Sequence, residues 1–99
     1  MLLEEFRWKK EVLESTEPVL VDFWAPWCPP CKAMNPILAS LAADFKVCKV
    51  NVDHNQELAT RFHISSIPAL LIFRNGQVAA RFTGVTPEQT IRQALLGRG

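Results

Sequence analysis

A short, almost continuously apolar segment from Val19 to Trp24 constrains the fold more than any other feature of this chain. It predicts a β-strand buried on both faces, because a half-exposed strand would alternate apolar and polar residues. Such a strand requires helices on both sides of its sheet. With 99 residues, 48% of them apolar, the chain can bury one such core, and we expect a single domain over residues 1–99.

Further apolar segments alternate with helical patterns along the rest of the chain. Strands are predicted over 46–52, 69–73 and 78–83, and helices over 5–14, 31–44, 55–62 and 87–96. Strands separated by helices pair in parallel, whereas Asn75-Gly76 predicts an antiparallel hairpin between the last two strands. The sequence therefore predicts an α/β fold, with a mixed central sheet flanked by helices.

Local signals refine the helices. Phe6, Val12 and Leu13 can share one face of the first helix, and Pro36 should kink the second. In the last helix Thr86 is the expected N-cap, with Gln89 completing a capping box and Gly97 as the stop signal.

Composition excludes several classes of function. Eleven basic and ten acidic side chains leave a net charge of +1, so no nucleic-acid partner is expected. No apolar run approaches the roughly 18 residues of a membrane helix, so no membrane partner is expected. Three cysteines are too few for a disulfide scaffold. Acidic residues near Met1 stand where a signal peptide is basic, so a cytoplasmic location is expected.

The most informative motif is Cys-Pro-Pro-Cys at residues 28–31, between a predicted buried strand and a helix. Cys28 would lie near the helix N-cap and Cys31 one turn inside, where unpaired N–H groups and the helix dipole stabilise a thiolate. Lys32 adds positive charge, so the Cys28 thiolate is expected to be favoured while Cys31 lies shielded behind it. Cys28 would then attack a substrate disulfide, and Cys31 would resolve the mixed disulfide.

A structural metal site is the alternative for these two cysteines. A closed zinc site needs four ligands, and only Cys48, His54 and His63 remain. Cys48 belongs in mid-strand and the histidines are nine residues apart, so no metal is expected. Cys48 is interpreted as a small, inert core residue, and the histidines are assigned no role.

Asp22 interrupts the apolar strand, and burying a carboxylate is costly. One interpretation is a strand-end residue that reaches solvent or bonds to a turn. The other is a desolvated carboxyl with a raised pKa below the cysteine loop, able to relay a proton to or from Cys31. An apolar residue would pack better here, which favours the second. Lys49, on the adjacent strand, is expected to lie near Asp22 and offset part of its burial.

Ile67-Pro68 precedes the third predicted strand, where proline is permitted as the first residue. The alternative is a cis bond that places an open backbone edge beside the cysteines. The sequence alone does not favour that alternative, because few X–Pro bonds are cis.

Residues 19–32 resemble the active-site region of the thioredoxin family. The resemblance continues in family order from about residue 6 to residue 96. Pro36 matches the helix-kinking proline, residues 49–53 the third strand and residues 66–73 the cis-proline strand. Asn75-Gly76 matches the hairpin, and Gly84 the glycine that closes the substrate surface. The resemblance implies a thioredoxin-like three-layer fold.

The same resemblance implies a protein-disulfide reductase. Cys28 would be the attacking thiol, Cys31 the resolving thiol, Asp22 the buried proton relay and Lys49 its charged neighbour. The backbone of Ile67 would pair with an extended substrate segment. The apolar docking surface around Cys28 would consist of Trp27, Ile67, Pro68, Gly84 and Val85.

The resemblance also implies partners. We expect disulfide-containing protein substrates, an electron donor of the thioredoxin-reductase type, and a monomeric protein. No cofactor is expected beyond the redox-active Cys28–Cys31 disulfide itself.

The chain departs from the family pattern in two places. The usual glycine between the cysteines is Pro29, beside Pro30, and proline removes an N–H near the thiolate and stiffens the loop. With Lys32, these prolines are expected to tune the pair, and fewer thiolate donors favour reductase behaviour. Few residues precede the first predicted helix, so the family's N-terminal edge strand is expected to be short or absent.

Three classes of function are compatible with these observations. The leading one is a thiol–disulfide reductase; an oxidase or isomerase would use the same chemistry at another redox potential and in another compartment. A redox-inert binding module on the same scaffold typically lacks one cysteine, and a metal-delivery domain needs a further ligand. The presence of both cysteines together with Asp22 and Pro68 favours the reductase.

Overall fold

The computed structural model describes residues 1–97, which are arranged around a five-stranded sheet. The strands are β1 (Leu2–Leu3), β2 (Val19–Trp24), β3 (Lys46–Asn51), β4 (Ala69–Arg74) and β5 (Gln77–Thr83). They lie in the order β1-β3-β2-β4-β5, where β2 pairs in parallel with β3 and antiparallel with β4. The edge strands extend this pattern, since β1 is parallel to β3 and β5 antiparallel to β4. The predicted mixed sheet is confirmed.

Helical segments cover both faces of the sheet. They are a π-helix (Lys9–Leu13), α1 (Pro29–Ala33), α2 (Asn35–Ala42), α3 (Gln56–Arg61) and α4 (Glu88–Leu95). Apolar side chains of α2 and α4 form the core on one face, and those of the π-helix and α3 form the core on the other. The predicted three-layer fold is therefore confirmed.

The central strand β2 is buried on both faces, as its apolar composition predicts. Val19, Val21 and Phe23 belong to the core beneath α3, whereas Leu20 belongs to the core beneath α2 and α4. Side chains alternate between the two faces of a strand, so Asp22 lies on the same face as Leu20, beneath α2.

The N-terminal edge strand is present but short. β1 contains only two residues, Leu2 and Leu3, which pair with Val47 and Cys48 of β3. The edge strand was expected to be short or absent, and the structure shows that it is short.

The predicted length of the first helix is wrong. Residues 5–14 form only the π-helix over 9–13, because the preceding residues bend out of β1 instead of continuing a helix. Phe6 and Val12 contact the core as expected, but Leu13 is exposed. A π-type hydrogen bond from the Glu14 N–H to the Lys9 carbonyl, 2.8 Å long, shifts the side-chain spacing away from that of an α-helix.

Pro36 divides the second predicted helix into α1 and α2. Proline has no N–H, so it cannot donate to the carbonyl of Lys32 one turn earlier. The Met34 N–H bonds instead to the carbonyls of Cys31 and Lys32, which closes α1 one residue before α2 begins.

The predicted N-cap of the last helix is also wrong. Pro87 occupies the N-cap position, and α4 begins at Glu88. The hydroxyl of Thr86 donates instead to the Gly84 carbonyl at 3.0 Å, so Thr86 forms no capping box with Gln89. Gly97 does follow the end of α4, at a φ of +75°.

The predicted hairpin joins β4 to β5 through Asn75 and Gly76. Their φ values, 54° and 78°, are both positive, as a tight turn of this kind requires. A Cβ on Gly76 would lie 2.8 Å from the backbone carbonyl oxygen of Leu13. The turn therefore packs directly against the backbone of the π-helix.

We expect Gly76→Ala to lower the free energy of unfolding by about 3 kcal/mol, because it combines a strained φ with a backbone clash. Urea unfolding measures this loss. Gly84→Ala is the matched control: its φ is +86°, but none of the described residues has an atom within 4 Å of the added Cβ. Gly84→Ala should lower the free energy of unfolding by only about 1 kcal/mol. Equal losses in the two variants would contradict the close approach at Gly76.

Candidate active site

The two cysteines of the Cys-Pro-Pro-Cys motif lie where the chain leaves β2 and enters α1. Cys28 is the N-cap of α1 and has an extended backbone, while Cys31 lies inside the first turn. Pro29 and Pro30, both exposed, open the helix, where a missing N–H removes no hydrogen bond within the helix. A disulfide joins the cysteines, whose Cα atoms are 5.3 Å apart.

The hydrogen bonding of the pair is asymmetric although its exposure is not. Each cysteine is 3% exposed, so the expected greater exposure of Cys28 is not seen in the disulfide form. The Cys31 N–H donates to Cys28 Sγ at 3.2 Å, which places a helix N–H on the sulfur of Cys28. Lys32, exposed on α1, directs its backbone N–H to the Cys28 carbonyl.

A loop distant in sequence closes over the pair. The Ile67–Pro68 peptide bond is cis, and the Ile67 carbonyl oxygen lies 3.7 Å from Cys28 Sγ. The Pro68 carbonyl accepts a 2.8 Å hydrogen bond from the Gly84 N–H. The α1 N-terminus and the loop before β4 therefore meet at Cys28, and the loop after β5 bonds to the loop before β4.

Four of the residues expected to form the docking surface differ in exposure. Trp27 is 66% exposed and Val85 57% exposed, whereas Ile67 is half-buried against the cysteines and Pro68 is buried. The Trp27 indole N–H donates to the carboxylate of Asp53 at 3.0 Å. That bond holds the exposed indole ring of Trp27 in place.

Asp22 lies in the middle of the sheet with no exposed surface. Neither of its carboxyl oxygens has a hydrogen-bond partner among residues 1–97. Desolvation by burial raises the pKa of Asp22 to about 7, and the positive charge of Lys49 acts in the opposite direction. The interpretation of Asp22 as a strand-end carboxylate reaching solvent is therefore wrong.

Lys49 is the register partner of Asp22 on β3, but it does not bond to that carboxyl. Its Nζ donates to Asn35 Oδ1 at 3.0 Å and lies 4.6 Å from the centroid of the Trp24 ring. The expected compensation of Asp22 by Lys49 is thus a charge effect at a distance, without a direct ion pair.

Comparison with known proteins identifies the family. The family model for thioredoxin matches residues 1–96. The chain belongs to the thioredoxin family. Thioredoxin 1 of Nostoc sp. is 46% identical over 91 residues, which cover 88% of this chain and 85% of that protein. An M-type chloroplastic thioredoxin of Spinacia oleracea is 42% identical, over 89% of this chain and 51% of that protein.

The solved structures agree with this assignment. A mutant thioredoxin from Halobacterium salinarum superposes with a TM-score of 0.87 at 27% identity, over 99% of this chain and 88% of that one. With the Cys28–Cys31 pair in place, the protein is a thioredoxin-type protein disulfide oxidoreductase that works by dithiol–disulfide exchange.

The third cysteine of this thioredoxin is separate from the pair. Cys48 is a free thiol buried on β3, in the core on the opposite face from Asp22. Burial raises the pKa of its thiol to about 11, with the charge of Lys46 acting in the opposite direction. Within residues 1–97, no group of three or more His, Cys, Asp or Glu side chains is placed to hold a metal ion. The same residues contain no helix that is long and apolar enough to cross a membrane.

Two residues beside the site were not singled out from the sequence. Asp53 anchors Trp27, and Asn35 anchors Lys49. These contacts join residues that are 26 and 14 positions apart respectively, and no spacing rule links such pairs. A polar residue directly before Pro36, at the start of a helix, was the only local signal for Asn35.

The buried carboxyl should make stability depend on pH. The pKa of Asp22 is about 7 in the folded chain against an ordinary 3.8, so between these values the folded state holds a proton that the unfolded state has lost. The contribution of Asp22 to the free energy of unfolding therefore falls as pH rises from about 4 to about 7, and is constant above that range. Asp22→Asn should remove this dependence. Above pH 7 its free energy of unfolding should therefore exceed that of the wild type by about 4 kcal/mol.

Urea unfolding of both proteins between pH 3.5 and 8.5 measures the difference. Below pH 4 the two should be nearly equal, because a protonated carboxyl and an amide are close in size and polarity. A difference that is the same at pH 4 and pH 8 would show that Asp22 does not titrate in this range.

Proposed function

We propose that this thioredoxin reduces disulfides in protein substrates, with Cys28 as the attacking thiol and Cys31 as the resolving thiol. The observation that carries the proposal is the N-cap position of Cys28, whose sulfur accepts the Cys31 N–H. A helix N–H and the positive end of the α1 dipole stabilise negative charge on that sulfur more than on Cys31.

The reaction proceeds in two exchanges. The Cys28 thiolate attacks one sulfur of the substrate disulfide, forming a mixed disulfide and releasing the other substrate sulfur as a thiolate that takes up a proton. Cys31 then loses its proton and attacks Cys28 Sγ, which expels the second substrate thiolate. The substrate leaves as a dithiol and Cys28–Cys31 as the disulfide, so two electrons pass to the substrate.

Asp22 is proposed to accept the proton that Cys31 loses. Because the pKa of its carboxyl is about 7, both the acid and the carboxylate are present near neutral pH, as a proton relay requires. Lys49 is proposed to adjust this balance through its positive charge, which favours the carboxylate.

Substrates are proposed to dock on the apolar surface around Cys28. Trp27 and Val85 offer exposed apolar area, and the backbone of Ile67 would pair with an extended substrate segment beside Cys28 Sγ. Pro68 and Gly84 would belong to the same docking surface. The Gly84 N–H bonds to the Pro68 carbonyl and so joins the two loops that contain them.

We further propose that residues 1–99 act as one monomeric domain, re-reduced by a donor of the thioredoxin-reductase type. The sheet supports the single domain, since β1 at one end of the chain and β5 near the other both belong to it.

We propose a cytoplasmic location, because a reducing compartment keeps the buried Cys48 thiol free and allows the Cys28–Cys31 pair to be re-reduced. Immunolocalisation in the source cells tests this location.

Reduction of insulin by dithiothreitol, followed as turbidity, tests the two cysteine roles. Wild-type protein should accelerate it, and Cys28→Ser should remove the acceleration because no attacking thiol remains. Cys31→Ser should instead accumulate a mixed disulfide with a substrate protein, since the second exchange cannot occur.

Cys48→Ala is the control, and it should keep full activity because its thiol is buried in the opposite core. Acceleration by Cys28→Ser equal to that of the wild type would overturn the proposal. Trapping through Cys28→Ser in place of Cys31→Ser would reverse the two roles.

The direction of exchange depends on the residues between the cysteines. Pro29 has no N–H to offer the Cys28 thiolate, so we expect Pro29→Gly to stabilise the dithiol and raise the reduction potential by about 30 mV, equivalent to a tenfold change in equilibrium constant. Equilibration with glutathione buffers measures the potential. An unchanged or lower potential in Pro29→Gly would contradict the proposed effect of the missing N–H. A strongly oxidising wild-type pair would favour a disulfide oxidase or isomerase over the reductase.

A further inference from the structure

The amide of Asn35 bonds to Lys49, whose charge acts on the buried carboxyl of Asp22. We propose that Asn35 is a positioning residue, which holds the Lys49 ammonium away from Asp22 and so limits how strongly that charge acts on it. The consequence for catalysis, though not the positioning itself, rests on the proposed role of Asp22 as proton relay.

The contacts of Lys49 define its position. Asn35 is the exposed first residue of α2, and its Oδ1 accepts a 3.0 Å hydrogen bond from Lys49 Nζ. On its other side the ammonium lies 4.6 Å from the centroid of the Trp24 ring, a cation–π distance. Only 9% of Lys49 is exposed, and these two groups are the contacts of its ammonium among the described residues.

The sheet by itself would place Lys49 closer to the carboxyl. Asp22 and Lys49 are register partners on neighbouring parallel strands, and neighbouring strands lie about 4.8 Å apart. Both side chains are on the face covered by α2, because Leu20 and Val47, two positions earlier on each strand, belong to that core. A direct ion pair is therefore within reach of the Lys49 side chain, yet no described residue bonds to either oxygen of Asp22.

Other neighbours of Asp22 offer no competing charge. Within residues 1–97, Lys49 is the one charged group that acts on the Asp22 carboxyl. Across β4 the register partner is the apolar Leu70, and Met34 covers the same face from the start of α2. The Cys28–Cys31 pair does not titrate while it is a disulfide.

Removing the Asn35 amide should release Lys49 toward Asp22. The ammonium of this largely buried side chain, once it loses its acceptor, favours another one nearby, and among the described residues the oxygens of Asp22 are unpartnered. An adjacent ammonium favours the carboxylate form of Asp22. Asn35→Ala is therefore expected to lower the titration midpoint of Asp22 by about one pH unit or more. Alanine is also a good helix former, so α2 is retained.

Carbon-13 NMR of the Asp22 carboxyl in the oxidised protein, recorded from pH 4 to 9, measures the midpoint directly. Asn35→Asp keeps an acceptor for Lys49 and adds negative charge, so its midpoint should not fall. In a Lys49→Gln background, Asn35→Ala should have no effect, because the charge that it releases is gone.

Ser40→Ala is the matched control on the same helix. Ser40 is also exposed on α2, and its hydroxyl donates to the Glu88 carboxylate at 2.9 Å instead of contacting Lys49. Its replacement therefore removes a polar contact of α2 without releasing the ammonium, and it should leave the midpoint of Asp22 unchanged.

Each result decides the inference. A lowered midpoint in Asn35→Ala but not in Ser40→Ala, abolished by Lys49→Gln, supports it. An unchanged or raised midpoint, the same fall in Ser40→Ala, or the same fall in the Lys49→Gln background overturns it. The pH profile of insulin reduction tests the relay separately. If the NMR midpoint falls while that profile does not move, Asn35 positions Lys49 as inferred but Asp22 does not relay the proton.

Discussion

Burial of β2 on both faces is the constraint on which the rest of this thioredoxin depends. Its apolar side chains join the two cores, each contributing roughly 1.5–3 kcal/mol through burial, and its end delivers the chain to the start of α1. The same burial removes Asp22 from water and raises the pKa of its carboxyl. One strand therefore both stabilises the fold and holds a carboxyl with a raised pKa.

The redox site combines segments that are individually ordinary. A helix N-terminus provides an N–H for the sulfur of Cys28, and proline can occupy that terminus without losing a hydrogen bond. The loop before β4 then brings the Ile67 carbonyl to the same sulfur, and the Gly84 N–H bonds to the Pro68 carbonyl of that loop. The thiolate is the attacking species in disulfide exchange, and the Cys31 N–H directed at Cys28 Sγ favours it.

Local features were predictable where a single residue restricts the backbone or a run of residues shares one environment. The hairpin at Asn75 and Gly76 follows from their tolerance of positive φ, and the strand bounds follow from apolar runs. Predictions failed where a competing contact was stronger. Thr86 bonds back to Gly84 in place of capping α4, and the first helix is shortened because the chain before it pairs as β1 and then bends.

The sequence by itself determined the α/β fold, the cysteine pair at a helix start and the presence of a costly carboxylate in a buried strand. Those properties depend on residues that are close together in the chain, so the sequence alone is enough to predict them. Only the tertiary structure decided that Asp22 has no hydrogen-bond partner within residues 1–97, that Asp53 anchors Trp27, and that Lys49 bonds to Asn35 instead of to Asp22. Hydrogen bonds between side chains on different elements depend on distances of a few tenths of an ångström, and these are set only when the layers pack together.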